Sequence, residues 1–495
     1  MSSRRGFLQK FLAGAGIFAS AKVLSAQEMQ MSPGMAGMQM KRKRETEAPE
    51  HGHGIPVLTQ TPDVPDLPFR MDGNVKEFHL IAEPVKQGIV PGRVVDLWGY
   101  NGSAPGPTIQ VTKGDRVRII VDNHLPEATS MHWHGFEVPV EMDGAPGSAQ
   151  DPIAPGGRFV YEFTLNQEGT YFYHSHMAMQ EMMGMIGAFV MHPKEVHKPQ
   201  VDRDFVIILQ EYAILPNINV PNSMNMEFNW LTFNGKSGPA TTPLVVRHGE
   251  RVRIRLINLG MDHHPIHLHG HQFVVTGTEG GRQPESTWGP GNTVLVGVAQ
   301  SRDVEFVANN LGDWMLHCHL PHHMMNQMSS MVGPMSRRNG MPAGLDMERG
   351  MGMLRQGSAM SHENGPSLGR GLGAGSTAEQ SMSNSPLKAG SSMRHQDMPG
   401  MQMSAPDVSK DANSVPGFPQ DAFMEGPMME MDQMVDKPEN FGLRPGWSGY
   451  MAGMMTFVRV LPQDKYDQIV ELRKKQQGNQ PTKMDMPGME HDHHE

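Results

Sequence analysis

The sequence is poor in cysteine, in net positive charge and in long apolar runs. Cys318 is the single cysteine among 495 residues, so an intrachain disulfide and a zinc site built on several thiolates are both excluded. The 42 Lys and Arg are outnumbered by 52 Asp and Glu, and the net charge of −10 argues against nucleic acid as a partner. Beyond one short apolar stretch near the N-terminus there is no long hydrophobic run. We therefore expect no membrane insertion of the mature protein.

The first residues have the pattern of an export signal. Ser3-Arg4-Arg5-Gly6-Phe7 precedes an apolar stretch over residues 11–21, and small residues follow as far as Ala26. A twin arginine before a short apolar segment is typical of the twin-arginine pathway, and about a dozen apolar residues are too few to span a bilayer. We expect residues 1–26 to be a signal peptide and the protein to be periplasmic or otherwise exported.

Two kinds of sequence make up the rest of the chain. Residues 66–328 contain short alternating segments between Gly and Pro turns, which predicts an all-β fold. Residues 27–65, a Met-rich and basic linker, and residues 329–448 are rich in Met, Gly, Ser and Pro without periodicity. Such composition predicts disordered or loosely packed segments. Residues 462–495 are interpreted as a charged helix followed by a tail rich in Met and His.

An internal repeat organises the β region. It relates three pairs of segments: Gly114–Ile119 and Gly249–Ile254, His132–Gly135 and His267–Gly270, and Gly169–His176 and Gly312–His319. The first two pairs have the same offset along the chain, and the offset of the third pair is slightly larger. Two similar β-sandwich domains are therefore predicted, over residues 66–197 and 198–328.

The repeat also reveals an insertion in the second copy. A strand at residues 184–191 follows His176 closely, whereas its counterpart at residues 453–460 lies far beyond His319. We therefore expect a strand at residues 453–461 to close the second domain. Residues 329–448 then form a methionine-rich insertion next to the histidines and Cys318.

The alternation of side chains along a strand sorts the histidines. Residues two apart face the same side of a strand, and residues one or three apart face opposite sides. Four pairs therefore each share a face: His132 and His134, His174 and His176, His267 and His269, and His317 and His319. Cys318 points away from His317 and His319, so it can meet His264 and His323 at a second site. One thiolate and two imidazoles, with a weak thioether, are the ligands of a blue-copper centre.

These residues resemble the multicopper oxidase family, whose motifs are H-x-H-G, H-x-H, H-x-x-H-x-H and H-C-H-x-x-x-H-x-x-x-x-M. The chain has them at His132–Gly135, His174–His176, His264–His269 and His317–Met328. The resemblance covers both β domains but not the methionine-rich segments. It implies two cupredoxin-like Greek-key β-sandwich domains and four coppers per functional unit, one of type 1, one of type 2 and two of type 3.

The resemblance also implies a role for each ligand. Type 1 copper would be bound by His264, Cys318 and His323, with Met328 as axial ligand and Met454 as its rival. Type 2 copper would be bound by His132 and His267, one type 3 ion by His134, His174 and His319, and the other by His176, His269 and His317. Asp143 matches the acid of the family that relays protons, although an Asp before Gly144 is also common in turns.

The resemblance further implies an assembly and a reaction. The segment between His176, which ends the second motif, and His264, which begins the third, is too short for a middle domain. Two-domain members hold their copper clusters between subunits, which implies a homotrimer. They oxidise a small reductant one electron at a time, at a site carrying Cys318 and His323, and reduce O2 to water.

The methionines indicate which reductant to expect. Seventeen of the 45 methionines lie in residues 329–448, and soft thioethers select Cu(I). We expect Cu(I) to be the reductant and copper tolerance to be the role. Three alternatives remain: a laccase acting on phenols or aromatic amines, a copper nitrite reductase, and a periplasmic protein that binds copper without turnover.

Overall fold

The computed structural model describes residues 55–148, 150–214, 218–223, 226, 228–324 and 431–479. The proposed signal peptide, most of the 27–65 linker, Met328 and the C-terminal tail lie outside these residues. Within them 22 strands form four sheets, and the prediction of an all-β fold with two β-sandwich domains is confirmed. Among the described helices, none is both long and apolar enough to cross a membrane.

The first ten strands precede residue 193. They are β1 (Thr59–Gln60), β2 (Phe69–Asp72), β3 (Val75–Val90), β4 (Arg93–Tyr100), β5 (Gly106–Thr112), β6 (Arg116–Asn123), β7 (His132–His134), β8 (Arg158–Thr164), β9 (Gly169–His174) and β10 (Ile186–His192). One sheet has the order β2-β3-β6-β8 with β4 on β3, and the other has the order β5-β10-β9-β7. The core between them includes Trp133, Tyr161 and Phe189, all fully buried.

The second sandwich uses the remaining strands together with β1. They are β11 (Arg203–Tyr212), β12 (Trp230–Phe233), β13 (Leu244–Arg247), β14 (Arg251–Asn258), β15 (His264–Leu268), β16 (Phe273–Thr278), β17 (Gly281–Arg282), β18 (Pro290–Gly291), β19 (Thr293–Val296), β20 (Gln300–Val307), β21 (Gly312–Cys318) and β22 (Met455–Leu461). The larger sheet runs β1-β11-β14-β20-β16-β17 with β12 and β18 at its side, and the smaller runs β13-β22-β21-β15-β19.

In the part of the chain that the structure describes, two helices accompany the second sandwich, α1 (Pro321–Met324) and α2 (Gln463–Asn479). Short 3-10 turns occur at Val140–Met142, Glu181–Met183, Glu285–Thr287, Pro438–Asn440 and Trp447–Tyr450.

Strand β11 joins the two domains because both of its faces are apolar. Phe205, Ile207 and Leu209 belong to the core of the second sandwich. Val206 and Ile208 point the other way and pack with residues of β10 in a separate interdomain cluster. This alternation explains why the strand is a nearly continuous apolar run, and each buried aliphatic side chain contributes about 1.5–3 kcal/mol.

Buried charges reinforce the interdomain contact. Arg255 donates to Asp204 at 2.8 Å and to Thr170 of β9 at 2.6 Å, and Thr170 donates to Asp303 at 2.6 Å. Because these groups are hydrogen-bonded across the boundary, their desolvation is compensated there. The relative placement of the histidine-bearing sheets is thus set by a well-packed interface.

At both ends of the β region, segments that the composition predicted to be loosely packed are in fact packed against the folded domains. Strand β1, within the expected 27–65 linker, pairs in parallel with β11. Met431, Val435 and Trp447, within the expected 329–448 insertion, are buried against Val85 and other residues of the β3–β4 hairpin. The apolar residues of these segments do not alternate with polar ones, so the sequence predicted no strand there. In the structure they pack against apolar surfaces of the two domains.

Candidate metal centres

Four histidines of the first domain come together where β7 lies beside β9. His132 is directly opposite His174 in this antiparallel pair. The ring centroid of His132 lies 5.3 Å from that of His174 and 5.2 Å from that of His176, and the rings of His134 and His174 are 5.6 Å apart. His174 is buried and His176 is exposed, so the cluster opens at the surface of the domain.

Hydrogen bonds to carbonyl oxygens orient two of these rings. His132 Nδ1 donates to the Asp143 carbonyl oxygen at 2.8 Å, and His174 Nδ1 donates to the Ser175 carbonyl oxygen at 2.8 Å. A carbonyl can only accept, so in each ring Nδ1 carries the proton and Nε2 keeps a lone pair for a metal. Gly144 has φ +84°, and any Cβ there would overlap the Met131 carbonyl oxygen, so glycine lets the Asp143 turn approach His132.

The second domain repeats this arrangement on β15 and β21. His267 is opposite His317, and their ring centroids are 5.6 Å apart. The rings of His267 and His319 are 5.4 Å apart, and those of His269 and His317 are 5.1 Å apart. His267 Nδ1 donates to the Asn292 carbonyl oxygen at 2.8 Å and His317 Nδ1 to that of Cys318 at 2.9 Å, so again each Nε2 keeps a lone pair. The lone pair of His317 Nε2 faces His269 Nε2 at 3.0 Å.

Burial favours the neutral form of four of these imidazoles. It lowers the pKa of His134 to about 4, and it also lowers the pKa values of His132, His269 and His317 from their usual range. Neutral imidazole is the form that binds a metal ion, so the clusters need not lose protons from these rings at pH 7.

The two histidine clusters are separate within one chain. Among the described residues, ten pairs of these eight histidine rings have centroids within 6.1 Å of each other. Both rings of every such pair belong to the same domain. His176 and His319, at equivalent positions of the repeat, are both exposed. Each domain therefore carries its own group of four imidazoles, which opens to the surface at His176 or His319.

His264, Cys318 and His323 form a third, fully buried group. The two Nδ1 atoms of His264 and His323 are 3.1 Å apart, and Cys318 Sγ lies 3.7 Å from the first and 3.3 Å from the second. All three side chains have 0 % exposure. His323 arrives on α1, while His264 begins β15 and Cys318 ends β21. Burial raises the pKa of the Cys318 thiol to about 12, so a bound cation must displace its proton.

The backbone of Met454 ties this group together. Cys318 N donates to the Met454 carbonyl oxygen at 3.0 Å, and Met454 N donates to that of His323 at 3.0 Å. Met454 is itself fully buried in the same core cluster. The rival candidate Met328 lies outside the described residues.

Sequence reasoning missed three carboxylates that contact the histidines. Glu211 Oε2 is 3.2 Å from His264 Nε2, Asp262 Oδ2 is 3.4 Å from His323 Nε2, and Glu181 Oε1 is 3.0 Å from His174 Nδ1. Asp143 Oδ2, which the sequence predicted, is 3.5 Å from His132 Nδ1. Glu211 could have been recognised from the sequence, because an acid at the end of an apolar strand such as β11 is unusual. Asp262 and Glu181 gave no such signal.

Glu211 is held by the loop that precedes β15. Its Oε1 accepts hydrogen bonds from the backbone nitrogens of Met261 and Asp262, the latter at 2.9 Å. Gly260 is required there, since a Cβ would overlap the Glu211 carboxylate. The loop thus fixes the acid against His264 Nε2, leaving Nδ1 directed at Cys318.

The donor atoms fit copper. One thiolate with two imidazoles suits a mononuclear copper ion, and eight further imidazoles suit additional copper ions, whereas a magnesium or calcium site would require oxygen ligands. Three ligand atoms that converge to 3.1–3.7 Å in a closed pocket leave space for one ion. The two cupredoxin-like sandwiches and these donors define a protein of the copper-binding class.

Comparison with known proteins gives the family. Residues 85–196 match one family model described as multicopper oxidase, and residues 214–334 match another with the same description. The chain belongs to the multicopper oxidase family.

Several relatives carry names related to copper. The chain is 45% identical over 149 residues to a copper resistance protein A homolog of Pseudomonas syringae pv. tomato, covering 30% of this chain and 25% of that protein. It is 29% identical over 342 residues to the multicopper oxidase MmcO of Mycobacterium tuberculosis, covering 62% and 61%. A blue copper oxidase of Nitrosomonas europaea matches at 31% identity and TM-score 0.46, covering 50% of this chain and 80% of that one. The chain thus spans about a quarter of the length of its copper-resistance relatives.

Proposed function

We propose that the protein is a multicopper oxidase that takes single electrons from Cu(I) and reduces O2 to water. The observation that carries the proposal is the position of Cys318. Its side chain belongs to the buried mononuclear group, while its neighbours His317 and His319 belong to the histidine cluster on the other face of β21. A single strand therefore offers a short covalent path between the two groups.

Bound copper would supply one-electron redox chemistry at both places. We propose that His264, Cys318 and His323 would hold type 1 copper. Met454, rather than the Met328 that the motif implies, would supply the thioether, since its backbone bonds to both Cys318 and His323. For the other ions we propose the ligand sets that the family motifs imply. His132 and His267 would hold type 2 copper. One type 3 ion would be held by His134, His174 and His319, and the other by His176, His269 and His317.

The separate histidine clusters support assembly as a homotrimer. Each domain holds half of the eight imidazoles in a group that opens to its surface, so a complete cluster requires the first domain of one copy to face the second domain of another. Such a heterologous contact closes into a ring. Co-expression of His174→Ala and His317→Ala tests this. Random mixing would restore intact clusters at roughly a quarter of the contacts between subunits, whereas clusters formed within one chain would stay defective in both variants.

Two carboxylates are placed to carry protons. Asp143, one third exposed, lies 3.5 Å from His132 Nδ1 and can exchange protons with solvent. Glu181, 35% exposed, lies 3.0 Å from His174 Nδ1 on the same cluster. We propose that Asp143 relays protons to the site of O2 reduction and that Glu181 is a second route.

The acids around the mononuclear group favour a cationic reductant. The contact with His323 lowers the pKa of Asp262, and its side chain is one third exposed, so a negative charge lies between the buried ligand and solvent. Glu211 adds a second, buried acid at His264. A cation such as Cu(I) is attracted to this surface, while a neutral phenol is not. The methionines of residues 329–448 support the same choice.

Oxidation of phenols is the second candidate, favoured by the relatives. The chain is 32% identical over 266 residues to laccase-2 of Botryotinia fuckeliana, covering 49% of this chain and 44% of that protein. The test compares O2 uptake by copper-loaded protein with Cu(I), a phenol and Mn(II). Faster turnover of the phenol without added copper would contradict Cu(I) as substrate. Retention of copper with no O2 uptake from any reductant would favour a binding protein without turnover.

We also propose export by the twin-arginine pathway, on the basis of the Arg4-Arg5 pattern. Cell fractionation of the full chain beside an Arg4→Lys/Arg5→Lys variant tests this. Cytoplasmic retention of both proteins, or export of both, would contradict it.

A further inference from the structure

A buried polar cluster in the first domain has no role in the function proposed above. Thr129 Oγ1 donates to Gln180 Oε1 at 2.8 Å, and Ser175 Oγ donates to the same oxygen at 2.6 Å. The two hydroxyl oxygens are 3.2 Å apart. The three side chains are at most 3 % exposed, so this triangle of oxygens is enclosed by the core.

The cluster occupies the repeat positions of the mononuclear group. Thr129 and His264 are related by the same offset along the chain as the H-x-H-G histidines of the two domains. Ser175 and Cys318, and likewise Gln180 and His323, are related by the offset that separates the two later histidine pairs. Each of the three ligand atoms of the second domain thus has one oxygen-bearing counterpart in the first.

The two triangles also have the same backbone frame. Ser175 N donates to the Met185 carbonyl oxygen at 3.2 Å, as Cys318 N does to Met454. Met185 N approaches the Gln180 carbonyl oxygen at 3.4 Å, as Met454 N approaches that of His323. Distances between side-chain atoms are 2.6–3.2 Å in the first domain and 3.1–3.7 Å in the second, shorter where hydrogen bonds connect the atoms directly.

We propose that Thr129, Ser175 and Gln180 are a metal-free counterpart of the Cys318 site and position the first-domain copper ligands. Ser175 lies between His174 and His176, as Cys318 lies between His317 and His319. In the second domain a metal–thiolate bond would anchor that strand end. In the first, hydrogen bonds anchor it, and two hydroxyls with an amide are hard donors that do not retain copper.

The polar cluster also hydrogen-bonds to the backbone next to both histidine pairs of the first domain. Gln180 Nε2 donates to the Ala128 carbonyl oxygen at 2.9 Å, near the start of the H-x-H-G segment. Met177 N donates to Ser175 Oγ at 3.2 Å, directly after His176. One glutamine therefore links the chain that leads to His132 with the chain that carries His174 and His176. The inference rests on the proposed function, because it requires these histidines to hold copper.

Exchanging the three side chains tests the structural equivalence. The variant Thr129→His/Ser175→Cys/Gln180→His places the ligand types of the second domain on the same backbone frame. We expect one additional copper per chain and a second thiolate-to-copper absorption band in the copper-loaded protein. A folded variant that binds no additional copper would refute the equivalence. Should this variant not fold, the Gln180 substitutions below decide.

Gln180 substitutions test the positioning role. Gln180→Met keeps the volume but removes three hydrogen bonds. Gln180→Glu retains oxygens that accept from Thr129 and Ser175 but loses the N–H that donates to the Ala128 carbonyl oxygen. The control Thr108→Val removes another buried contact between two hydroxyls of the described chain, the 2.6 Å contact between Thr61 and Thr108 of β5. Copper affinity is measured by titration, with type 2 and type 3 signals recorded beside the blue band of the Cys318 site.

We expect Gln180→Met to weaken copper binding at the histidine clusters roughly 10- to 100-fold, the range for groups that orient metal ligands. The blue band should stay unchanged, Gln180→Glu should restore binding only in part because it lacks the bond to Ala128, and Thr108→Val should behave as wild type. Unchanged cluster affinity in Gln180→Met, or an equal loss in Thr108→Val, would refute the positioning role. Wild-type protein without copper at the histidines would instead refute the proposed function.

Discussion

Asp262→Asn should distinguish a cationic reductant from a neutral one. The Asp262 carboxylate lies 3.4 Å from His323 Nε2 with one third of its side chain exposed, so a reductant that approaches this histidine passes close to the charge. For a unit charge about 6 Å away and an effective dielectric constant of about 40, between protein surface and water, the attraction is about 1.4 kcal/mol. Removing it should lower kcat/KM for Cu(I) about tenfold.

The assay is O2 uptake with Cu(I) supplied as its acetonitrile complex, after subtraction of the uncatalysed oxidation, and with a neutral methoxyphenol in parallel. The phenol reaction should change less than twofold, because it lacks the Coulomb attraction. Added salt should reduce the difference between Asp262→Asn and wild type. Glu285→Gln, at an exposed position of a 3-10 turn, controls for a general loss of charge. Equal losses for Cu(I) and phenol would refute the reasoning.

Three further predictions concern the copper ligands and the buried charges. Met454→Leu should keep the blue band and raise the reduction potential of the mononuclear site, because a weak axial ligand tunes that potential; an unchanged potential in redox titration would favour Met328 instead. Cys318→Ser should abolish the blue band and O2 uptake, and uptake at the wild-type rate would contradict the proposed electron path. Burial would raise the pKa of Glu305, but Arg253 and Arg282 offset this and lower it to about 2. The stabilisation by Glu305 is therefore present above about pH 4.5, the usual glutamate range, and is lost as the pH falls toward 2. At pH 7, Glu305→Gln should cost about 3 kcal/mol in urea unfolding, with a smaller cost near pH 2.

Much of the candidate site could be predicted because alternation along a strand is a local property. Parity alone placed His317 and His319 on one face of a strand and Cys318 on the other, and the structure has them on β21 and directly after it. The repeat likewise predicted a strand at residues 453–461 that closes the second domain; β22 lies there and pairs with the strand that carries Cys318. Both inferences required a pattern within one strand or a comparison of two similar segments.

Other features depend on contacts between distant segments. Glu211 lies on β11 and reaches His264 at the start of β15, and no spacing rule connects the two. The burial of Trp447 against the β3–β4 hairpin was missed for the same reason, since its segment has no periodicity. The Thr129, Ser175 and Gln180 cluster consists of common polar residues that acquire meaning only when their distances are known.

The sequence by itself determined the β-sandwich repeat, the grouping of the histidines by face and the chemical preference of their atoms for copper, because side-chain alternation and ligand type follow from the order of residues. Tertiary structure alone decided that the imidazoles form two separate clusters, that acids lie against His264 and His323, and that Met454 bridges Cys318 and His323. These outcomes depend on how the sheets pack and on where the loops place distant residues. Close packing involves the whole buried surface, so no local sequence pattern specifies it.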